Sequence, residues 1–147
     1  MTNVNKTGLP STDGYTLLLS ATVHASNVAA LRHRVRDLTS ECGMDAEQVD
    51  GFAVAVNEIM TNAVRHGGGS GQLRLWCDGR VLCEVDDRGP GFDAGPHLRR
   101  TERPAPSSRG GLGLWLARQT SDDLAIESGP TGTTVSISAH LSAHRDT

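Results

Sequence analysis

The stretch Asn57-Glu58-Ile59-Met60-Thr61-Asn62-Ala63 decides the fold, because it sits in a helical pattern that is apolar on one side and carries a carboxylate and an amide on another. Asp45 is placed to cap this helix, with Glu47 and Gln48 in its first turn, and Gly67 is placed to end it. At about 100° per residue, Val49, Phe52, Ala53, Val56, Met60 and Ala63 gather on one stripe, the expected core face. Glu58 and Asn62 are four apart and stack together, on a face expected to lie opposite that stripe. Taken alone, the pair describes an ordinary solvated face.

The flanking segments supply the rest of the fold. Residues Tyr15 to Val23 read as a strand, and Ser26 or Asn27 can cap a first helix. Its Val28, Leu31, Val35 and Leu38 recur at spacings of three and four, which leaves Arg32, His33 and Arg36 largely outward on what reads as a solvated basic face. After Gly67, the alternation of Leu73 and Leu75 against Val81, Cys83 and Val85 predicts a half-buried hairpin. The expected loop is Cys77-Asp78-Gly79, with Gly79 free to take positive φ. From Phe92 to Gly110 periodicity stops: Pro96, Pro104 and Pro106 alternate with Arg99, Arg100, Arg103 and Arg109, the composition of a lid or binding loop. A helix from Gly111 to about Ser121 and two closing strands, Leu124 to Glu127 and Thr133 to Leu141, complete the order. That order predicts an α+β fold, a two-layer sandwich with helices on one face of a mixed, mostly antiparallel sheet. One domain over residues 15–141 is expected, between flexible tails at 1–14 and 142–147.

Bulk properties narrow the function. A chain of 147 residues can bury roughly 70% of its unfolded surface. A net charge of −3 argues against general affinity for nucleic acid or membranes. No apolar leader precedes the domain, and no run approaches the ~20 apolar residues of a membrane span, so a cytoplasmic protein is expected. Cys42, Cys77 and Cys83 lack C-x-x-C spacing and fit reduced thiols. The histidines form no zinc-binding spacing, and the low aromatic content disfavours a base-stacking platform.

Three short segments carry chemistry. Glu58 is positioned to orient or deprotonate an attacking hydroxyl, and Asn62 offers an oxygen to Mg²⁺, which takes few protein ligands when phosphates and water supply the others. Asp87-Arg88-Gly89-Pro90-Gly91 follows directly on a strand; a carboxylate there can accept from the exocyclic amine of adenine, with Gly89 and Gly91 letting backbone approach the base. An ordinary turn is the plainer account of that segment. Gly110-Gly111-Leu112-Gly113 opens a helix whose amides and dipole can meet phosphate. In this order the segments outline a pocket for ATP and Mg²⁺. A P-loop is excluded, because the only lysine is Lys6 in the polar N-terminal tail.

Glu58-x-x-x-Asn62-Ala63 with His66-Gly67, then Asp87-x-Gly89-x-Gly91, Gly111-x-Gly113-Leu114 and Gly132-Thr133 resemble the successive boxes of the GHKL, or Bergerat-fold, ATPases. Within that group the chain resembles the bacterial anti-sigma-factor serine kinases of partner-switching systems, Thr61-Asn62-Ala63-Val64-Arg65-His66-Gly67 most of all. The resemblance implies that Glu58 is the catalytic base, Asn62 the magnesium ligand and Asp87 the adenine reader. It implies that Gly89, Gly91, Gly111, Leu112 and Gly113 line the nucleotide, that Thr133 backs the adenine contact and that Arg109 stands near the terminal phosphate. Ser108 departs from the acidic residue some relatives carry. The implied activity is transfer of the γ-phosphoryl of ATP to a serine of a small antagonist protein, and sequestration of a sigma factor, by a homodimer. The alternative is a non-catalytic, ATP-responsive anti-sigma or signalling adaptor. A histidine-kinase catalytic domain is disfavoured by the short segment before Tyr15, and a gyrase-like motor by the missing second domain.

Overall fold

A computed structural model describes residues 11–89, 117 and 119–141. The elements run β1 (Thr16–His24), α1 (Val28–Cys42), α2 (Ala46–His66), β2 (Ser70–Cys77), β3 (Arg80–Asp87), β4 (Asp123–Gly129) and β5 (Gly132–His140). The strands form one sheet in the order β1-β2-β3-β5-β4, each neighbouring pair antiparallel. Both helices pack on the same sheet face, and α2 touches β1, β2, β3 and β5. This is the expected α+β arrangement.

Helix α2 begins and ends where its capping residues predict. The Asp45 carboxylate accepts from the Gln48 amide at 2.8 Å, and the Gly67 amide donates to the Ala63 carbonyl at 2.8 Å. The anticipated stripe of Val49, Phe52, Ala53, Val56, Met60 and Ala63 is buried throughout. Ala55 and Ile59 are buried as well, so the covered arc is wider than an apolar stripe alone suggests. The centre of the solvent-facing side falls at Val54, which is exposed, and Glu58 and Asn62 lie half-buried at the flank of the core. Their expected place opposite the core is therefore corrected.

The first helix departs from expectation in two further ways. Asn27 stands at the cap position, but its side chain turns back toward β1: Oδ1 accepts from the His24 amide and Nδ2 donates to the Thr22 carbonyl, both at 2.8 Å. Arg32 and Arg36 do not point outward as free cations. Arg32 Nη1 donates to Asn57 Oδ1 at 3.0 Å, and Arg36 pairs with Asp50 at 2.5 Å, so both lace α1 to α2. The long reach of an arginine beside an adjacent helix makes the neighbour the nearer partner.

The β2–β3 hairpin pairs Leu73 with Val85, Leu75 with Cys83 and Cys77 with Val81. The connection is therefore centred on Gly79, with φ 68, rather than on Asp78. A shift of two residues preserves which side chains face inward, because the strand period is two. Cys77 joins the inward row, and its thiol meets that of Cys42 at the end of α1. All three cysteines are free.

The opposite sheet face carries a polar lattice. Arg74 pairs with Asp86 at 2.8 Å, Thr134 Oγ1 donates to Asp86 Oδ1 at 2.6 Å, and Arg80 bridges Asp123 and Ser138. Burial pushes the Glu84 carboxyl above its usual range; Asp86 adds to the effect and Arg74 opposes it. Among the described residues, no helix is long and apolar enough to cross a membrane. Residues 11–14 form a turn in which the Tyr15 amide donates to the Thr12 carbonyl at 3.0 Å. The remainder of both expected tails, the lid, and most of the helix expected from Gly111 lie outside the described residues; Ala117 and Gln119 are helical.

Candidate functional site

Strand alternation builds the site. On β3, Val81, Cys83 and Val85 face the helices, so the next residue of that series, Asp87, faces them too. On β5, Val135, Ile137 and Ala139 do the same, and Thr133 precedes them in the series. The register sets Asp87 opposite Thr133, and Thr133 opposite Ser128 of β4. One row inward, Val85, Val135 and Ile126 are all apolar. The helix-facing surface thus changes from hydrocarbon to carboxylate and hydroxyls within a single cross-strand step.

Asp87 is held from one side. Its Oδ1 accepts from the amide of Gly89 at 2.9 Å and from the amide of Thr133 at 3.2 Å. Among the described residues, Oδ2 has no hydrogen-bond partner. Two backbone donors on one oxygen fix the carboxyl's rotation and leave the other oxygen to accept from a ligand.

The end of α2 closes directly on this carboxylate. A Cβ on Gly67 would stand 2.3 Å from Asp87 Cγ, and one on Gly89 would stand 2.6 Å from both Gly67 Cα and the His66 carbonyl oxygen. Only glycine permits the helix terminus and the loop after β3 to meet in this way. From Gly67, Asn62 and Glu58 lie back along α2 by roughly 7.5 and 13.5 Å at 1.5 Å per residue. Neither makes a side-chain hydrogen bond among the described residues. A cavity of about 460 Å³ lined by Gly67, Gly71, Asp86, Asp87 and Arg88 lies on one side of Asp87. A second, of about 370 Å³, is lined by Asp87, Arg88, Ser128, Gly132 and Thr133.

The structure therefore brings together Asp87, Gly89 and Thr133, and places Glu58 and Asn62 on the helix that ends against them. Gly91, Arg109, Gly111, Leu112 and Gly113 lie outside the described residues. Ser128 was not singled out by sequence reasoning, although its signal is present. Gly129-Pro130-Thr131-Gly132 is a tight turn between two strands, and such a turn must set Ser128 across from Thr133.

A profile of the histidine kinase-like ATPase domain matches residues 20–139, and the chain belongs to that family. Its relatives include the serine-protein kinase RsbW of Bacillus subtilis, 27% identical over 130 residues that cover 80% of this chain and 81% of the relative. The anti-sigma F factor of Bacillus licheniformis is 27% identical over 133 residues, 82% of this chain and 89% of the relative. Among solved structures, the RsbU and RsbW domains of Rv1364c from Mycobacterium tuberculosis align with a TM-score of 0.62 at 23% identity. That alignment covers 84% of this chain and 31% of the larger one, and it supports the fold. The domain is of the ATP-binding, kinase-like type, with serine-kinase and anti-sigma relatives.

Proposed function

We propose that this chain is a Mg·ATP-dependent protein serine kinase and anti-sigma factor. It phosphorylates a small antagonist protein on serine and, when free of it, sequesters a sigma factor in the cytoplasm as a homodimer. The observation that carries this reading is the Asp87 carboxylate, with Oδ1 tied to two amides, Oδ2 without a protein partner among the described residues, and α2 closing against it. The relatives that are serine-protein kinases and anti-sigma factors support the choice of substrate and partner.

The residues fit an adenine nucleotide. Asp87 Oδ2 would accept from the exocyclic amine, Thr133 would back that contact, and Gly89 and Gly91 would let backbone approach the base. Gly111, Leu112 and Gly113 would supply amides to phosphate oxygens, and Arg109 would meet the terminal phosphate. Among the described residues no three or more His, Cys, Asp or Glu side chains are grouped to hold a metal by themselves. A magnesium ion would take Asn62 as its protein ligand and its other oxygens from phosphate and water. Bound Mg·ATP supplies the phosphoryl group and neutralises its charge. Glu58, on the same helix as Asn62, orients the serine hydroxyl and takes its proton. Such chemistry is mostly positioning and charge compensation, which this small set of groups can supply.

The test is incubation with ATP labelled at the γ-phosphate and a candidate antagonist encoded near this chain, with capture of a candidate sigma factor followed in parallel. Label on an antagonist serine supports the kinase. Nucleotide binding and sigma capture without label would instead make the protein the non-catalytic adaptor.

A further inference from the structure

The polar row contains a hydroxyl that the assignment above does not use. Ser128 Oγ lies 2.7 Å from Thr133 Oγ1, and either oxygen can be the donor. Thr133 also donates its backbone amide to Asp87 Oδ1, so the three residues are linked across β4, β5 and β3. All three line the same cavity of about 370 Å³.

We propose that Ser128 is a positioning residue for base selection: by donating to Thr133 it leaves the Thr133 proton free to point at the nucleotide base. The proposal rests on the reading of Asp87 as the base-reading carboxylate. A hydroxyl has one proton and two lone pairs. When Ser128 supplies a proton to Thr133 Oγ1, the Thr133 proton must go elsewhere, and Thr133 lines the cavity. The row then presents an acceptor at Asp87 Oδ2 and a donor at Thr133. Adenine offers the matching edge, an exocyclic amine that donates and a ring nitrogen, N1, that accepts. Guanine offers the reverse at both positions, a carbonyl oxygen and a protonated N1. Without Ser128 Oγ the Thr133 hydroxyl rotates and can accept from guanine N1–H as readily as it donates to adenine. Sites that fix hydrogen-bond polarity reject mismatched ligands far better than sites that only fit shape.

The bland account is that the Ser128–Thr133 bond merely steadies the β4–β5 hairpin. The two accounts separate in nucleotide preference. Dissociation constants for Mg·ATP and Mg·GTP would be measured by calorimetry on wild type, Ser128→Ala, Ser128→Thr and Asp87→Asn, with melting temperatures for each. Ser128→Ala is expected to lower the preference for ATP over GTP by about three- to tenfold, the range one hydrogen bond supplies. Ser128→Thr, which keeps the hydroxyl, is expected to retain the preference. An unchanged ATP-to-GTP ratio in a Ser128→Ala protein that merely melts lower would overturn the proposal, as would equal loss in Ser128→Thr. Full ATP affinity in Asp87→Asn would instead remove the reading of the base at Asp87 on which it stands.

Discussion

The amide of Thr133 donates to Oδ1 of Asp87 at 3.2 Å, across 46 residues of sequence, so the last strand orients the carboxylate that ends β3. A side chain held by β5 and by its own loop is already turned before any ligand arrives. On the proposed reading of Asp87, the base contact would be set by the sheet together with the loop that follows it.

Asp87→Asn is expected to fold and to bind Mg·ATP at least tenfold more weakly. The amide can keep one acceptor oxygen, but it loses the charge-assisted component of a bond worth ~1.5–3 kcal/mol. Calorimetry together with a melting curve checks this: weaker binding with an unchanged fold supports the role. Equal affinity in a folded mutant counts against it.

Glu84 gives a pH-dependent prediction. Its carboxyl is raised above the usual range by burial and by Asp86, against the pull of Arg74, so the folded state binds its proton more tightly than the unfolded state does. The stability contribution of the protonated form is then present at low pH and lost as pH rises through the raised folded value. Glu84→Gln should therefore stabilise the protein near neutrality, with the gain shrinking as pH falls toward the usual carboxylate range. Chemical denaturation at several pH values reads the difference; a gain that grows on acidification would reverse the sign.

The inter-helix arginines yield a contrast within one helix. Arg36 pairs with Asp50, whereas Arg34 is exposed. Arg36→Glu places like charges together and should lower the melting temperature, though modestly, since exposed pairs are worth ~0–1 kcal/mol. Arg34→Glu should leave it unchanged. A surface test of partner capture on α1 accordingly belongs at His33 and Arg34, not at Arg32 and Arg36.

Cys83 is fully buried, and desolvation pushes its thiol far above the ordinary range, with Glu84 adding to the shift. Cys42 is pushed up to about 12 by burial and by its neighbours Cys77 and Glu41. Since the thiolate is the reactive form, alkylation of both near neutral pH should be slow in the native protein and fast in denaturant. Rapid native labelling of Cys83 would show that the inner face of the sheet opens readily.

Much of this was legible in the sequence. The period of α2 and its two caps were enough to place the helix, and alternation was enough to put Leu73, Leu75, Cys83 and Val85 on one face. Hairpin register was not fixed by alternation, because centring on Asp78 or on Gly79 buries the same side chains. The Arg32–Asn57 contact depends on how two helices lie together, which no local pattern encodes. Asp87 and Thr133 were recognisable as separate motifs, but their hydrogen bond, and the coupling of Ser128 to it, arise only when β5 inserts between β3 and β4. The half-burial of Glu58 and Asn62 was missed for a related reason: the width of a helix's covered arc is set by its neighbours.

The most direct test of the kinase assignment compares wild type with Glu58→Gln in single-turnover transfer from γ-labelled ATP to the antagonist's serine. The glutamine keeps the shape of the side chain and cannot accept the proton. The expected result is unchanged Mg·ATP affinity with transfer slowed by ~10²–10⁴. Transfer at the wild-type rate by Glu58→Gln would contradict the assignment of Glu58 as the base and the mechanism built on it.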